Sequence, residues 1–83
     1  MNWWVYVLRC GDGSFYTGIS TDVERRLMVH QAGRGARYTR GRGPLTLWWA
    51  CGPYSHAVAL SEERRIKKLS HQEKNALGGG GDQ

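Results

Sequence analysis

Acidic side chains and cysteines are scarce in this chain, and long apolar runs are missing altogether. The two cysteines, Cys10 and Cys51, lie far apart and belong to no C-x-x-C pair, which argues against a structural zinc site. They read as small buried or half-exposed thiols rather than redox or nucleophilic groups. No apolar run approaches the roughly 20 residues that a membrane-spanning helix needs. Trp3 and Trp4 stand near the N-terminus with no basic region ahead of them, unlike a secretory signal. Few cysteines and no export signal together lead us to expect a reducing cytoplasm. Nor is there a phosphate-binding glycine motif, a nucleophile elbow or an H-E-x-x-H pair.

What the chain does have is positive charge and aromatic mass. Twelve Lys and Arg against seven Asp and Glu give a net charge of +5 and a pI near 9.7. That excess in so small a domain favours a polyanionic partner, nucleic acid ahead of an anionic membrane surface. Four Trp, four Tyr and one Phe supply much of the available core. With 83 residues there is room for one domain, expected over residues 1–77. Residues 78–83 are glycine-rich and are expected to form a disordered tail.

Residues 3–9 alternate and are rich in β-branched and aromatic side chains, so they predict a strand. Cys10-Gly11-Asp12-Gly13-Ser14 supplies a turn, and residues 15–19 the returning strand. Thr21-Asp22-Val23-Glu24 fits a capping box opening a helix to about Gln31, stopped by Gly33. Val23, Leu27 and His30 share one side of that helix, with Arg26 at its edge and one turn from His30. Residues 33–44 interleave Arg34, Arg37, Arg40 and Arg42 with glycines and read as a mobile loop. Residues 45–51 carry Trp48 and Trp49 in a nearly continuous apolar run, which predicts a third strand buried on both faces. Gly52-Pro53 should break it, after which Ser55 caps a helix to about Leu69. Ser70-His71-Gln72-Glu73 is a second capping-box pattern, opening a last helix to Leu77. The expectation is an α+β fold in the order β-β-α-β-α-α, a small three-stranded antiparallel sheet flanked by helices.

Several side chains could carry chemistry. Glu63 falls among Ala59, Leu60 and Ile66 on its helical wheel, and a carboxylate on an apolar face needs a partner or a metal. Glu62 sits close to the same face, and the wheel does not choose between the two, nor between a ligand and an arginine-paired residue. Arg26 and His30 fit either a site or a solvated face paired with Asp22 and Glu24. Tyr6 and Tyr16, on paired strands, fit packing as well as function. The arginine–glycine loop suits phosphate contact, with Tyr38 able to stack on a base, but also suits plain solvation. His56 and His71 have no partner at a metal-ligand spacing.

Taken together, these segments resemble the GIY-YIG nuclease family. Trp4-Val5-Tyr6 stands as the first half-motif and Tyr16-Thr17-Gly18 as the second. Residues 22–30 match the family's D-x-E-x-R-x-x-x-H segment, and Ala59-Leu60-Ser61-Glu62-Glu63 its A-L-x-x-E pattern, which selects Glu63. Gly35-Ala36-Arg37-Tyr38-Thr39-Arg40 and Lys67-Lys68-Leu69-Ser70 are similar to the small stand-alone bacterial group of the YhbQ type. The likeness spans about residues 3–77. It departs at Trp4-Val5, where the family has Gly-Ile, and at Ile19, where some relatives carry a lysine. The family's late asparagine has no clear counterpart except Asn75.

The resemblance implies a metal-dependent endonuclease acting on DNA more readily than RNA, structure-selective or weakly sequence-specific, with a place in repair or recombination. It implies one Mg²⁺ or Mn²⁺ at Glu63, Arg26 stabilising charge on the phosphate, and Tyr6 activating water. Tyr16 and His30 would position or relay the proton, and Arg26 and the metal would lower the pKa of the tyrosine base. Arg34, Arg37, Tyr38, Arg40, Arg42, Lys67 and Lys68 are the candidate nucleic-acid contacts. A monomer or weak homodimer with no membrane association is expected. The alternative is a non-catalytic nucleic-acid-binding module on the same fold.

Overall fold

The computed structural model describes residues 2–79. Strand β1 (Trp3–Arg9) is followed by β2 (Phe15–Ser20), helix α1 (Val23–Gln31), strand β3 (Thr46–Tyr54), and helices α2 (His56–Lys67) and α3 (His71–Gly79). The strands form one antiparallel sheet in the order β2-β1-β3. This is the expected α+β arrangement and element order. No helix among the described residues is long and apolar enough to cross a membrane.

The period-2 alternation of β1 divides its side chains between two cores. Val5 and Val7 point to the face covered by Ala59 and Ile66 of α2, with Phe15, Trp48, Leu69 and Leu77 around them. Tyr6 and Leu8 point to the other face, against Cys10, Leu45, Tyr16, Val23 and Leu27. A central strand of a thin sheet must satisfy both layers, so four consecutive residues, from Val5 to Leu8, are buried. The strand predicted to be doubly buried was β3, and that expectation fails. As an edge strand β3 pairs only with β1, and none of its nine residues is fully buried.

Gly52-Pro53 does not end β3. The strand bends through them, with a register shift between Trp3/Val5, and resumes pairing at Tyr54 opposite Trp3. Proline lacks an amide hydrogen, and a bulge on an edge strand has none to supply. The ring of Trp4, which stands in place of the family's glycine, packs on Gly52.

The helix boundaries follow from their caps. Asp22, rather than Thr21, caps α1 by accepting from the amide of Arg25, and the chain leaves the helix through Gly33. Ser55 caps α2 as expected, and α2 ends at Lys67, two residues short of the expected Leu69. The Ser70/Glu73 capping box forms reciprocally: Ser70 N–H donates to Glu73 Oε1 at 2.8 Å, and Glu73 N–H donates to Ser70 Oγ at 3.1 Å. Trp48 Nε1–H fastens α3 to the sheet by donating to the carbonyls of Lys74 and Asn75, both at 3.1 Å. Helix α3 takes up the first two residues of the expected tail, and residues 80–83 lie outside the described residues.

The arginine–glycine segment holds more structure than a mobile loop. Arg37–Thr39 form a 3₁₀ turn, and Thr39 is buried. The far end docks on the β1–β2 turn, where Gly11 N–H donates to Arg42 O at 2.6 Å and the Arg42 guanidinium pairs with Asp12. Asp12 is also held by the hydroxyl and amide of Ser14, which with Arg42 bring its pKa down to about 2.

Candidate active site

The site grows from one residue of the central strand. Tyr6 is 1% exposed, yet its hydroxyl ends in a polar cluster rather than in the apolar core. Beneath it lies Gly18 of β2, opposite Tyr6 in the strand register. A Cβ on residue 18 would come within 2.6 Å of the Tyr6 hydroxyl oxygen, so only glycine lets the ring lie there. Tyr16, two residues earlier on β2, shares this face, with ring centroids 6.4 Å apart. The two half-motifs of the sequence are thus adjacent rungs of one hairpin.

Helix α1 brings His30 onto the same spot. Its Nε2 is 3.0 Å from the Tyr6 hydroxyl, and its ring lies 5.1 Å from that of Tyr16. His30 is itself 1% exposed, with Nδ1 3.0 Å from Thr39 Oγ1 and 3.3 Å from the Ala36 amide nitrogen. Arg26, one helical turn earlier, is exposed but acts on the Tyr6 hydroxyl both as a polar neighbour and as a charge. The alternative pairing of Arg26 with Asp22 or Glu24 does not form: Arg26 has no ion pair among the described residues, and Asp22 is occupied as the helix cap.

Helix α2 carries both glutamates, and their surroundings differ. Glu62 turns outward to Arg65, at 2.8 Å. Glu63 turns inward, its side chain 18% exposed, with Lys67 Nζ at 3.3 Å as its ion-pair partner. Its charge reaches Tyr6 and raises the pKa of the phenol there.

These fields add up on Tyr6. Burial is the largest influence and pushes its pKa up to about 12, with Tyr16 and Glu63 adding to the rise and Arg26 opposing it. Arg26 therefore acts in the expected direction, but burial outweighs it and Tyr6 rests as a neutral phenol. Burial, helped by the charge of Arg26, lowers the pKa of His30 from the ordinary histidine value of 6.5. A neutral imidazole thus faces a neutral phenol. Tyr6 can take a proton only if it gives one up, and among the described residues the ring nitrogen at its hydroxyl is His30 Nε2.

The remaining candidates divide. Tyr38 stands beside Tyr16, ring centroids 6.1 Å apart and tilted by 30°, and is 42% exposed. Arg42 lies over the Tyr38 ring at 4.4 Å while paired to Asp12, so its guanidinium is already engaged. Arg34, Arg37, Arg40 and Lys68 are exposed and form no ion pairs among the described residues. Lys67 is tied to Glu63. His71 and His56 take structural places, His71 Nε2–H donating to the Gly13 carbonyl at 2.9 Å and His56 lying against Trp3. Asn75 is exposed on α3, which packs against the other face of the sheet from Tyr6.

Sequence reasoning did not find the supports of His30. Thr39 and Ala36 contact its ring, and a Cβ on Gly35 would collide with Nδ1. No spacing rule links positions 35–39 to a helix that ends at residue 31. A cavity of about 300 Å³ lies beside this support, lined by His30, Thr39 and Leu45 among others, away from Arg26 and Glu63. Of the site candidates, Arg26 is exposed and Glu63 partly so, whereas Tyr6 and His30 are buried.

Comparison with known proteins shows the family of this chain. Residues 2–76 match the family described as the GIY-YIG catalytic domain. A UPF0213 protein of Halobacterium salinarum is 52% identical over 88% of this chain and 95% of its own length. One from Yersinia pestis is 51% identical over 90% of this chain and 79% of its own. Among solved structures, the UPF0213 protein BH0048 of Bacillus halodurans aligns with a TM-score of 0.59 at 46% identity, covering 98% of this chain and 86% of that one. The E. faecalis protein EF2693 aligns with a TM-score of 0.58 at 39% identity, covering 87% of this chain and 77% of its own.

Proposed function

This chain belongs to the GIY-YIG family, and from that premise we propose that it is a metal-dependent endonuclease hydrolysing phosphodiester bonds in DNA. The observation that carries the reading is the Tyr6 hydroxyl: it is bonded to His30 and lies within the fields of both Arg26 and Glu63. Those four residues come from three separate elements, and core packing alone gives no reason for them to meet. In this reading the activity is structure-selective or weakly sequence-specific. Repair or recombination in the cytoplasm is the setting that suits it.

The donor set fits Mg²⁺ or Mn²⁺. Glu63 is a hard oxygen ligand held on the inner side of α2, and no group of three or more His, Cys, Asp or Glu could hold a metal among the described residues. One carboxylate, with water and substrate phosphate completing the shell, is a common way to hold Mg²⁺. Glu63 would hold the ion, which would supply neutralisation of charge on the scissile phosphate and on the leaving 3′ oxygen. Lys67, paired to Glu63 at 3.3 Å and more than half exposed, would be free to meet the substrate backbone if Glu63 took a metal instead.

The protein's own residues do the rest. Arg26 sets its guanidinium against the phosphate oxygens, where negative charge builds in the transition state. Water attacks phosphorus as the bond to the 3′ oxygen breaks. The Tyr6 oxygen accepts the proton of the attacking water while its own proton passes to His30 Nε2. Tyr16 packs against His30 and bounds the space in which the water sits.

The test is cleavage of supercoiled, single-stranded and branched DNA, and of RNA, in Mg²⁺ or Mn²⁺ by the wild-type protein, Glu63→Ala and Arg26→Ala. Arg26→Ala is expected to lose about 100- to 1000-fold in kcat, the effect of deleting a donor to developing charge. Equal activity in all three proteins would remove these residues from the site. The Lys67–Glu63 pair favours a second reading, a binding module without cleavage. Salt-sensitive binding with no products from any substrate would establish it.

A further inference from the structure

Thr39 is buried to 2% exposure on a segment whose neighbours Arg37, Tyr38 and Arg40 are all exposed. Its hydroxyl lies 3.0 Å from His30 Nδ1 and donates to the Ala36 carbonyl at 2.9 Å. A hydroxyl has one proton. If that proton goes to Ala36, then His30 Nδ1 must be the donor to Thr39 Oγ1, and the neutral ring carries its proton on Nδ1. Nε2 is then bare and accepts the Tyr6 proton at 3.0 Å. The result is a single chain of donors: Tyr6 O–H to His30 Nε2, His30 Nδ1–H to Thr39 Oγ1, and Thr39 O–H to the Ala36 carbonyl.

The competing arrangement puts the ring proton on Nε2 and lets the Ala36 amide donate to Nδ1. That bond is the longest of the set, at 3.3 Å. It would also leave the Thr39 hydroxyl to choose between Nδ1 and the Ala36 carbonyl, losing one of two shorter contacts. With the proton on Nε2, His30 could only donate to Tyr6 and could not take its proton. The preferred arrangement leaves the Ala36 amide without Nδ1 as its acceptor, a loss of the longest bond at 3.3 Å. It keeps both shorter ones, at 2.9 and 3.0 Å, which favours it because hydrogen bonds weaken steeply with distance.

The geometry points to Thr39 as a positioning residue: backed by the Ala36 carbonyl, it keeps the His30 proton on Nδ1 and leaves Nε2 free to receive the proton of Tyr6. This inference rests on the nuclease reading above and deepens it. It assigns the arginine–glycine segment a second role besides contacting nucleic acid. Gly35 belongs to the same device, because its missing Cβ is what lets the segment close on the imidazole ring. A base oriented by a third group is the general logic of activated side chains, and here the third group is a hydroxyl on a loop.

Nitrogen-15 NMR of histidine-labelled protein reads the tautomer directly. His30 of the wild-type protein is expected to show protonated Nδ1 and bare Nε2, and the reverse overturns the inference. Thr39→Val, which keeps the shape and deletes the hydroxyl, should shift the ring toward the Nε2–H form. Its kcat should fall about 10- to 100-fold, the usual cost of removing a group that orients a functional side chain. KM for nucleic acid should stay within about twofold, because no ground-state contact is lost. Thr39→Ser should restore both the spectrum and the rate. Wild-type kcat in folded Thr39→Val overturns the inference. The spectrum is informative whether or not the protein cleaves: an inactive wild-type protein with the Nδ1–H form overturns the nuclease reading and leaves the Thr39 clamp in place.

Discussion

Gly18 and His30 carry the two most exposed consequences at the scale of single residues. Tyr6 lies on Gly18 so closely that a methyl group there meets its hydroxyl oxygen at 2.6 Å. Gly18→Ala must therefore move Tyr6 or bend the hairpin, a form of overpacking that costs about 1–3 kcal/mol. Chemical denaturation should show that loss, and kcat should fall further than the stability change explains, because Tyr6 leaves His30. His30 makes a pH prediction. Its folded pKa lies below the unfolded value of 6.5, so the unfolded chain binds the proton first as pH falls. Its contribution to stability is fully present above pH 6.5 and is lost as pH drops through the lowered folded value. Melting curves between pH 8 and pH 5 should show this acid limb in the wild-type protein and a shallower one in His30→Gln. Cleavage should fall over the same acidic range, since a protonated Nε2 cannot accept from Tyr6. The tyrosine roles were not legible in the chain, where two tyrosines on a hairpin suit packing equally well. The resemblance pointed to Tyr6, and the structure adds a 3.0 Å contact from its hydroxyl to His30.

Among the elements, the helices were the most legible, because their ends are written in local chemistry. Ser55 and the Ser70/Glu73 box cap the helices they were expected to cap. Ser70→Ala should cost about 1 kcal/mol of stability in urea unfolding. It should leave cleavage unchanged, because α3 packs with Trp48 and Leu77 on the face of the sheet away from Tyr6. A parallel loss of kcat would show that the two faces are coupled. Strand β3 was misjudged because its composition resembles a central strand. Strand order is a property of pairing, and the run at residues 45–51 holds nothing to say that β1 would occupy the middle. The loop at residues 33–44 holds more order than its composition suggests, because Thr39 reaches back to His30 and Arg42 reaches Asp12 on another turn, contacts that no local pattern of glycine and arginine encodes.

For the molecule as a whole, the governing property is its charge of +5, and the fold determines which cations are free to act. Arg34, Arg37 and Arg40 are exposed and without ion pairs among the described residues, whereas Arg42 is neutralised by Asp12. The slope of log K against log salt for DNA binding falls by about 0.9 for each phosphate contact removed. Replacing Arg37 or Arg40 with Ala should each lower the slope by roughly that amount, and replacing Arg42 by clearly less. Equal effects at all three positions would mean that the Asp12 pair opens when nucleic acid binds.

The sequence by itself determined the element order, most of the helix boundaries, the basic character and the family motifs, because periodicity, caps and net charge are local or additive. It also placed Val23, Leu27 and His30 on one side of α1, since helix geometry fixes that without any partner. The Glu62–Arg65 pair is a local contact one helical turn apart, whereas tertiary structure alone decided that Glu63 faces inward, toward Tyr6. The same holds for Tyr6, a neutral phenol aimed at His30, and for the turn at residues 36–39 that supports the imidazole. Burial and long-range pairing determine the proton state and direction of each of these groups. Both depend on residues that the fold brings together from different elements, such as Tyr6 and His30, 24 positions apart.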